Sequence, residues 1–521
     1  MAEKKWKVLV TDSLSRQGLD ILNEKGYEVK TDPSLDGDSL AGVISEYDAL
    51  LIRSGTNVTA DIIEKAERLR IIGRAGVGVD NVDIDAATRK GIVVMNVPAG
   101  NTVSACEHTW ALILSLLRNV SPSHQALKEG RWDKKKYKGT ELYGKTLGIL
   151  GLGKIGCEVG KRAGAFGMKI IACDPYASEE MAGELSARLV EFDELLEKSD
   201  IITIHSPLND KTRNLFNAES ISRMKKSAFL VNCARGGIVN EEDLSEALEK
   251  GVIKGAALDV YPKEPVTDSP VFKMDSAVCT PHLGAATSEA QERVAVEIVK
   301  QAVHYLETGR MINAVNAFAQ DMDPDIRELA EKLGVVCGQL SENLAESVRI
   351  SYRDKMEKAG DSLTVTVLKG YLSQFIEGVN LINARVLARE RGVEIVSQSV
   401  SGDTRMLGDI RVFFNEDFSV EGGIIGGVPR LTGLNGYIFD IPLSGNLLVI
   451  INADRPGVIG HIGTVLGENS INIASMEVGR KSAGGEAVTV IEIDGDIPEE
   501  LKEKIQKIEY ITQVKNIRVG Q

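Results

Sequence analysis

From its N-terminus the chain alternates short apolar runs with segments of helical period. KVLVTD from Lys7, DALLIRS from Asp48, LRIIGRAG from Leu69 and GIVVMNV from Gly91 read as strands. GLDILNEKG from Gly18 and DIIEKAERL from Asp61 read as helices between them. Such alternation predicts a parallel sheet with helices on both faces. A long apolar helix is expected over about Thr102–Arg118, and then the alternation resumes. TLGIL, MKIIACD, DIITIHSP, AFLVNCA, KGAALDV and AVCTP carry it from Lys145 to about Leu283, as a second doubly wound unit. A helix from about Ser288 to Leu306 is expected to return to the first unit, so that two connections hinge two lobes around a cleft. The lobes are placed at 1–98 with 289–319, and at 99–288.

The pattern changes near residue 320, where Asp321–Asp323 and Pro324 open an α+β region drawn at 320–444. Amphipathic helices are expected in IRELAEKLGVVCGQL and EGVNLINARVLARERG, and polar strands in SVRISYRD, LTVTVL and DIRVFFNE. No cluster of nucleophile, base or metal ligands occurs there, so a regulatory or assembly role follows by exclusion. The last unit, 445–521, reads NLLVIINAD, helix from Gly457, INIASMEVGR, EAVTVIEID, helix from Pro498, ITQVKNIRV. That is βαββαβ, a ferredoxin-like layer of antiparallel strands under two helices. Asp454-Arg455-Pro456-Gly457 leaves free N–H groups at a helix start, which suits an amino-acid carboxylate or is a plain cap.

Composition narrows the class. At 521 residues, with 43% hydrophobic and 26% charged residues, the chain suits three or four globular domains. A net charge of −14 argues against nucleic acid as a general partner. No separate apolar leader or bilayer-length apolar stretch is seen, and the six cysteines include no C-x-x-C pair, so a cytoplasmic protein with reduced thiols is expected.

The chemistry begins at TLGILGLGKIG. Gly151, Gly153 and Gly156 form G-x-G-x-x-G between a strand and a helix. The first allows the tight turn, the second lets a pyrophosphate approach the backbone, and the third brings helix and strand together. Asp174, closing the next strand, sits where a carboxylate takes both ribose hydroxyls and repels a 2′-phosphate. NAD is therefore the expected cofactor, against Gly151, Gly153, Lys154, Ile155, Gly156, Asp174, Cys233 and Asp259, although packing is the commoner role for a cysteine such as Cys233.

Arg235 in NCARGGIV, Glu264 in DVYPKEP and His282 in TPHLGA each follow an apolar strand of the second unit, at the edge where ligands of doubly wound sheets bind. Oxidising a 2-hydroxy acid with NAD needs a base for the hydroxyl proton, an acid that tunes the base, and a cation for the carboxylate. Histidine titrates near neutrality, a neighbouring carboxylate fixes its tautomer, and arginine grips a carboxylate through two parallel bonds. Individually, each residue also has a bland reading, as a surface ion pair or a structural histidine.

These motifs, with GLGKIG before them, closely resemble the D-isomer-specific 2-hydroxyacid dehydrogenases. Within that family RSGT at 53–56, GRAGVGVDNVD at 73–83 and NTVSACEH at 101–108 are similar to the branch that oxidises 3-phosphoglycerate in serine biosynthesis. So are the extra middle domain and the C-terminal domain, which resembles an ACT domain. The resemblance implies catalytic Arg235, Glu264 and His282, with Arg53, Ser54, Gly55, Arg74, Asn101 and Thr102 facing the substrate. A doubly charged phosphate beside a carboxylate demands more than one cation, and Arg53 and Arg74 are assigned to the phosphate end. Lys134-Lys135-Lys136, after Trp132, reads either as charge lent to a neighbouring subunit or as a solvated loop. The resemblance further implies a homotetramer and L-serine as effector at Asn452, Asp454 and Asn472; some relatives carry histidine where this chain has Asn452. Two other readings compete: a glycerate, hydroxypyruvate or glyoxylate reductase, and a NAD-sensing corepressor-like binding protein.

Overall fold

The computed structural model describes residues 5–317, 322–401, 408–415 and 418–520. Five strands form the first sheet: β1 (Lys7–Val10), β2 (Glu28–Thr31), β3 (Ala49–Ile52), β4 (Ile71–Arg74) and β5 (Val93–Met95). Their order is β2-β1-β3-β4-β5, all parallel. The second sheet is built from β6 (Thr146–Leu150), β7 (Lys169–Cys173), β8 (Ala187–Leu189), β9 (Ile201–Ile204), β10 (Phe229–Asn232), β11 (Gly255–Leu258) and β12 (Ala277–Cys279). Its order is β12-β11-β10-β9-β6-β7-β8, again parallel throughout.

Each order reverses once, between β1 and β3 in the first sheet and between β6 and β9 in the second. A crevice opens at the carboxyl ends of the strands at such a point. Two strands, β2 and β8, were not among the expected runs. Both are edge strands whose side chains are mostly exposed or half-buried, so they carry little apolar signal.

Two helices cross between the lobes. Thr102–Arg118 leaves the first lobe and packs its buried face, including Trp110, Ile113 and Leu117, into the core of the second. Ser288–Thr308 returns, with Val294, Ile298 and Val299 buried in the core of the first lobe. Gly18 and Gly73 permit that return. An added Cβ would lie 3.2 Å from the Ala295 carbonyl at Gly18 and 2.9 Å from Ile298 at Gly73.

The third sheet comprises β13 (Ser347–Arg353), β14 (Glu394–Val400), β15 (Ile410–Phe414), β16 (Phe418–Ile425), β17 (Val428–Leu434) and β18 (Tyr437–Pro442), in the order β14-β13-β15-β16-β17-β18. The junction drawn at 319/320 lies outside the described residues. Two sequence expectations for this region fail. LTVTVL is no strand but lies inside the helix Gly360–Leu372, every residue of it buried. That helix packs against Pro324–Leu340 through glycines: an added Cβ would lie 2.1 Å from Val367 O at Gly334, and 2.2 Å from Glu331 O at Gly370. Close packing on all sides outweighs the strand preference of a β-branched run, and Thr364 and Thr366 donate to the carbonyls of Gly360 and Ser362. EGVNLINARVLARERG is helical only over Ala384–Glu390, because Asn380 and Asn383 turn the preceding chain with their side chains.

The last sheet contains β19 (Gly445–Ala453), β20 (Ile473–Arg480), β21 (Glu486–Ile493) and β22 (Ile511–Val519), antiparallel in the order β20-β21-β19-β22. Helices Val458–Glu468 and Glu499–Gln506 cover one face. The other face joins the core of the third sheet through Leu447, Val449, Val490 and Ile517. Among the described residues no helix is long and apolar enough to cross a membrane.

Candidate active site

The site grows from the carboxyl ends of the parallel strands in both lobes. At the reversal point of the first sheet, Asp12 follows β1 and accepts hydrogen bonds from the Arg53 N–H (2.6 Å) and the Thr56 N–H (3.2 Å) after β3. Gly55 allows this approach, since a Cβ there would lie 2.4 Å from Asp12 Oδ1. Asn81 donates from Nδ2 to the carbonyls of Arg53 (2.7 Å) and Thr56 (2.6 Å), so the 53–56 loop is held from two sides, with Ser54 and Gly55 exposed. Arg74 ends β4 with its Nε buried and without a hydrogen-bond partner. Burial and the charge of Arg235 push its pKa down to about 10, with Arg53 adding to the shift and Asp80 and Asp12 opposing it. The charges of Arg235 and Arg53 therefore both reach the Arg74 guanidinium. Asn101 Oδ1 and Thr102 Oγ1, at the start of the first crossover helix, are likewise buried without partners. Unsatisfied buried polar atoms are costly, and a ligand that completes their bonds removes that cost.

At the reversal point of the second sheet, Gly151 takes φ +92° and a Cβ would lie 2.8 Å from the His205 backbone after β9. Gly156 sits over the Gly151 carbonyl, which a Cβ would meet at 2.2 Å. Gly153, by contrast, faces open space and caps the helix Lys154–Ala165 without a side-chain bond, leaving the first N–H groups free beside Lys154 and Ile155. This is the cradle a pyrophosphate needs. The Asp174 carboxylate accepts from the N–H groups of Leu152 (2.7 Å) and Tyr176 (2.8 Å), which aims it along the same crevice with acceptor capacity to spare. The residues fit a dinucleotide with an unphosphorylated ribose. Burial raises the Cys233 thiol to about 12, so it stands there as a neutral, protonated group.

Between these ends lie the groups with acid–base chemistry. His282 Nδ1 is 2.5 Å from Glu264 Oε2, while Glu264 Oε1 accepts from the Tyr261 N–H (2.9 Å). A carboxylate can only accept, so Nδ1 carries the proton and Nε2 is left for a substrate hydroxyl. Arg235 donates from Nε to Asp80 (3.1 Å) across the cleft and from Nη1 to the Ala234 carbonyl (2.8 Å). Gly78 lies under Nη2, where a Cβ would come within 2.2 Å. Asp259 is wholly buried after β11. Burial alone would raise its pKa, but bonds from His108, Thr280 and the Leu283 N–H hold it below the ordinary aspartate value.

The structure thus brings together Arg53, Arg74, Arg235, Glu264 and His282 at one cleft. It does not bring the three expected effector residues together in one chain. Register aligns Asn452 with Ala487 and Arg480, whereas Asn472 adjoins Ile473 at the opposite sheet end, roughly 20 Å away at ~3.3 Å per residue. Asn452 is buried, with Oδ1 accepting from Thr489; Asp454 accepts from the Gly484 N–H and Arg480; Asn472 is exposed and donates to Asp494. Lys134-Lys135-Lys136 lies on an exposed loop. Sequence reasoning missed Asp12, Asp80, Asn81, His108 and His205. Asp12 and His205 close apolar runs and were within reach of the same strand-end argument, but Asp80, Asn81 and His108 acquire meaning only from distant partners.

Residues 110–284 match the NAD-binding domain of the D-isomer-specific 2-hydroxyacid dehydrogenases. Residues 322–435 match the D-3-phosphoglycerate dehydrogenase intervening domain, and 446–510 the ACT domain. The chain is 43% identical over 519 residues to the D-3-phosphoglycerate dehydrogenase of Methanocaldococcus jannaschii, covering 98% of this chain and 99% of that protein. It is 39% identical over 529 residues to that of Bacillus subtilis, covering 98% and 99%. Among solved structures, a Thermus thermophilus protein aligns at 35% identity and TM-score 0.55, over 59% of this chain and 99% of its own. The D-lactate dehydrogenase of Aquifex aeolicus, complexed with NAD and lactic acid, aligns at 28% identity and TM-score 0.53, over 59% of this chain and 98% of its own.

Proposed function

The chain belongs to the D-3-phosphoglycerate dehydrogenases, within the D-isomer-specific 2-hydroxyacid dehydrogenase family, and from that premise we propose how its own residues perform the reaction. The activity is NAD-dependent oxidation of D-3-phosphoglycerate to 3-phosphohydroxypyruvate, the first step of the phosphorylated route to L-serine. The observation that carries the assignment of roles is the convergence of Arg53, Arg74 and Arg235 on the cleft that holds the His282–Glu264 pair.

Arg235 leaves Asp80 to grip the substrate carboxylate bidentately, while Arg74 and Arg53 take the phosphate with Ser54, Gly55, Asn101 and Thr102. His282 Nε2 removes the C2 hydroxyl proton, and Glu264 keeps the imidazole in the tautomer that can accept it and stabilises the cation formed. Bound NAD would supply the hydride acceptor for C2. Gly151, Gly153, Lys154, Ile155 and Gly156 hold its pyrophosphate, and Asp174 its adenosine ribose. Asp259 and Cys233 would stand at its nicotinamide end.

The last sheet supports an amino-acid effector role. The opposed positions of Asn452 with Asp454 and of Asn472 mean that an L-serine site using all three requires two copies of the chain, consistent with a homotetramer. Cytoplasmic location is part of the same proposal.

The test follows NADH formation at alkaline pH from 3-phosphoglycerate and from D-glycerate, with and without L-serine, in the wild type and His282→Ala. Expected are turnover of the phosphorylated acid alone, its decrease with serine, and loss of rate in the variant on the order of 10²-fold or more with NAD affinity retained. Turnover of unphosphorylated acids only would transfer the chain to the reductases. Normal turnover in His282→Ala would remove histidine from the mechanism.

A further inference from the structure

His282 is not in an ordinary backbone conformation: its φ is +53°, in the left-handed region that a non-glycine residue seldom adopts. Three hydrogen bonds to Asp259 impose it. The His282 N–H donates to the Asp259 carbonyl (2.9 Å), the Leu283 N–H to Oδ1 (2.7 Å) and the Gly284 N–H to Oδ2 (2.8 Å). Asp259 therefore holds the backbone of the proposed base while Glu264 holds its ring, and where its carboxylate points bears on where the imidazole points.

The Asp259 carboxylate is itself held by two side chains. Thr280 donates from Oγ1 to Oδ1 at 2.6 Å. His108 Nε2 lies 3.1 Å from the same Oδ1 and 3.0 Å from Thr280 Oγ1. Because the carboxylate only accepts and the threonine proton is already committed to it, the proton between them must sit on Nε2 of His108, shared by both oxygens. His108 belongs to neither the catalytic loop nor its strand. It stands on Thr102–Arg118, the helix that crosses from the first lobe and whose first residues face the substrate cleft.

We infer that His108 is a positioning residue of the dehydrogenase reaction: through Asp259 it ties the crossover helix between the lobes to the left-handed turn that aims His282. The inference rests on His282 being the base. The carboxylate bracket fixes the loop within the second lobe, and the imidazole couples it to the helix that starts beside Asn101 and Thr102 at the cleft. Without the His108 donor the buried Oδ1 loses one partner and the loop loses its link to that helix, so the base is aimed less well while the arginines assigned to the substrate are untouched. Misplacement of a reacting group by about 1 Å can cost on the order of 10² in rate.

The experiment measures kcat and both KM values for His108→Leu, His108→Gln and Thr280→Val, with His282→Ala in parallel. His108→Leu is expected to lower kcat about tenfold or more per folded molecule, with KM for 3-phosphoglycerate within about twofold of wild type. His108→Gln, whose amide can donate from a similar position, is expected to recover kcat to within about threefold. Thr280→Val, which removes the other side-chain donor to the same oxygen, is expected to fall like His108→Leu and decides the matter if that variant does not fold. An unchanged kcat in folded His108→Leu or in Thr280→Val, whatever the change in Tm, would overturn the inference, as would equal losses in the leucine and glutamine variants. If His282→Ala turns over normally, the base assignment fails instead, and the two failures are separately visible.

Discussion

At the scale of single residues, the site holds charges the fold alone leaves uncomfortable. Arg74 has an unpartnered buried Nε, and burial together with Arg235 lowers its affinity for a proton. Arginine remains charged at neutral pH, so the cost is met on binding an anion. Arg74→Met should raise KM for 3-phosphoglycerate on the order of 10- to 100-fold, yet leave the Tm of the ligand-free protein no lower than wild type. A Tm drop of several degrees in that variant would show the guanidinium to be structural instead. His205, beneath the glycine loop, is a second case. Burial pushes it down to about 4 from an ordinary 6.5, and its Nε2 pairs with Thr203. Between those values the unfolded chain binds a proton that the folded chain does not, so stability present at pH 7 is lost as pH falls toward 4. Denaturant midpoints at pH 7 and pH 5 should therefore differ more in the wild type than in His205→Gln, and equal differences would refute the assignment.

At the scale of elements, the strand–turn–helix around Gly151 was legible because its signals are local: an apolar run, glycines at fixed offsets and an acidic residue closing the next strand. The structure separates the roles of those glycines. Gly156→Ala places a Cβ against the Gly151 carbonyl and should lower stability by roughly 1–3 kcal/mol. At Gly153 an added Cβ would meet nothing within 4 Å in the protein, so Gly153→Val should leave Tm unchanged while weakening NAD binding at least about tenfold. Calorimetry with a titration of NAD checks both, and a destabilised Gly153→Val would contradict the open cradle. LTVTVL shows where local signals fail. Its β-branched alternation favours a strand, but Gly334 and Gly370 let two helices approach so closely that burial on every side decides for helix. The edge strands β2 and β8 escaped for the converse reason, since exposed strands have no apolar face to read.

At the scale of the whole molecule, the four sheets are not independent beads. One continuous core runs from the third sheet into the last. Ile382, just ahead of the helix Ala384–Glu390, is buried in the core of the first lobe. Beside it Asn380 donates to the Gly91 carbonyl (2.8 Å), at the end of the helix Ile84–Lys90. That helix begins three residues after Asn81, which holds the Arg53 loop, so packed contacts lead from the last sheet to that loop. Asn472→Ala should abolish the proposed serine inhibition while leaving kcat without serine within about twofold, because the residue is exposed and lies in the last unit, outside the two lobes that form the cleft. Initial rates across a serine titration test this, and retained inhibition would place the effector elsewhere.

By itself the sequence determined the two doubly wound lobes, the βαββαβ unit and the placing of Arg235, Glu264 and His282 after strands of the second lobe. Periodicity, glycine punctuation and strand termination are properties of neighbouring residues, readable without knowing what they touch. Only the tertiary structure decided that LTVTVL is helical, that Asn452 and Asn472 lie at opposite sheet ends, and that His108 reaches Asp259 across 151 positions of chain. Those outcomes depend on which surfaces are buried together and which donors meet which acceptors, and such pairings exist only once segments far apart in the chain have packed.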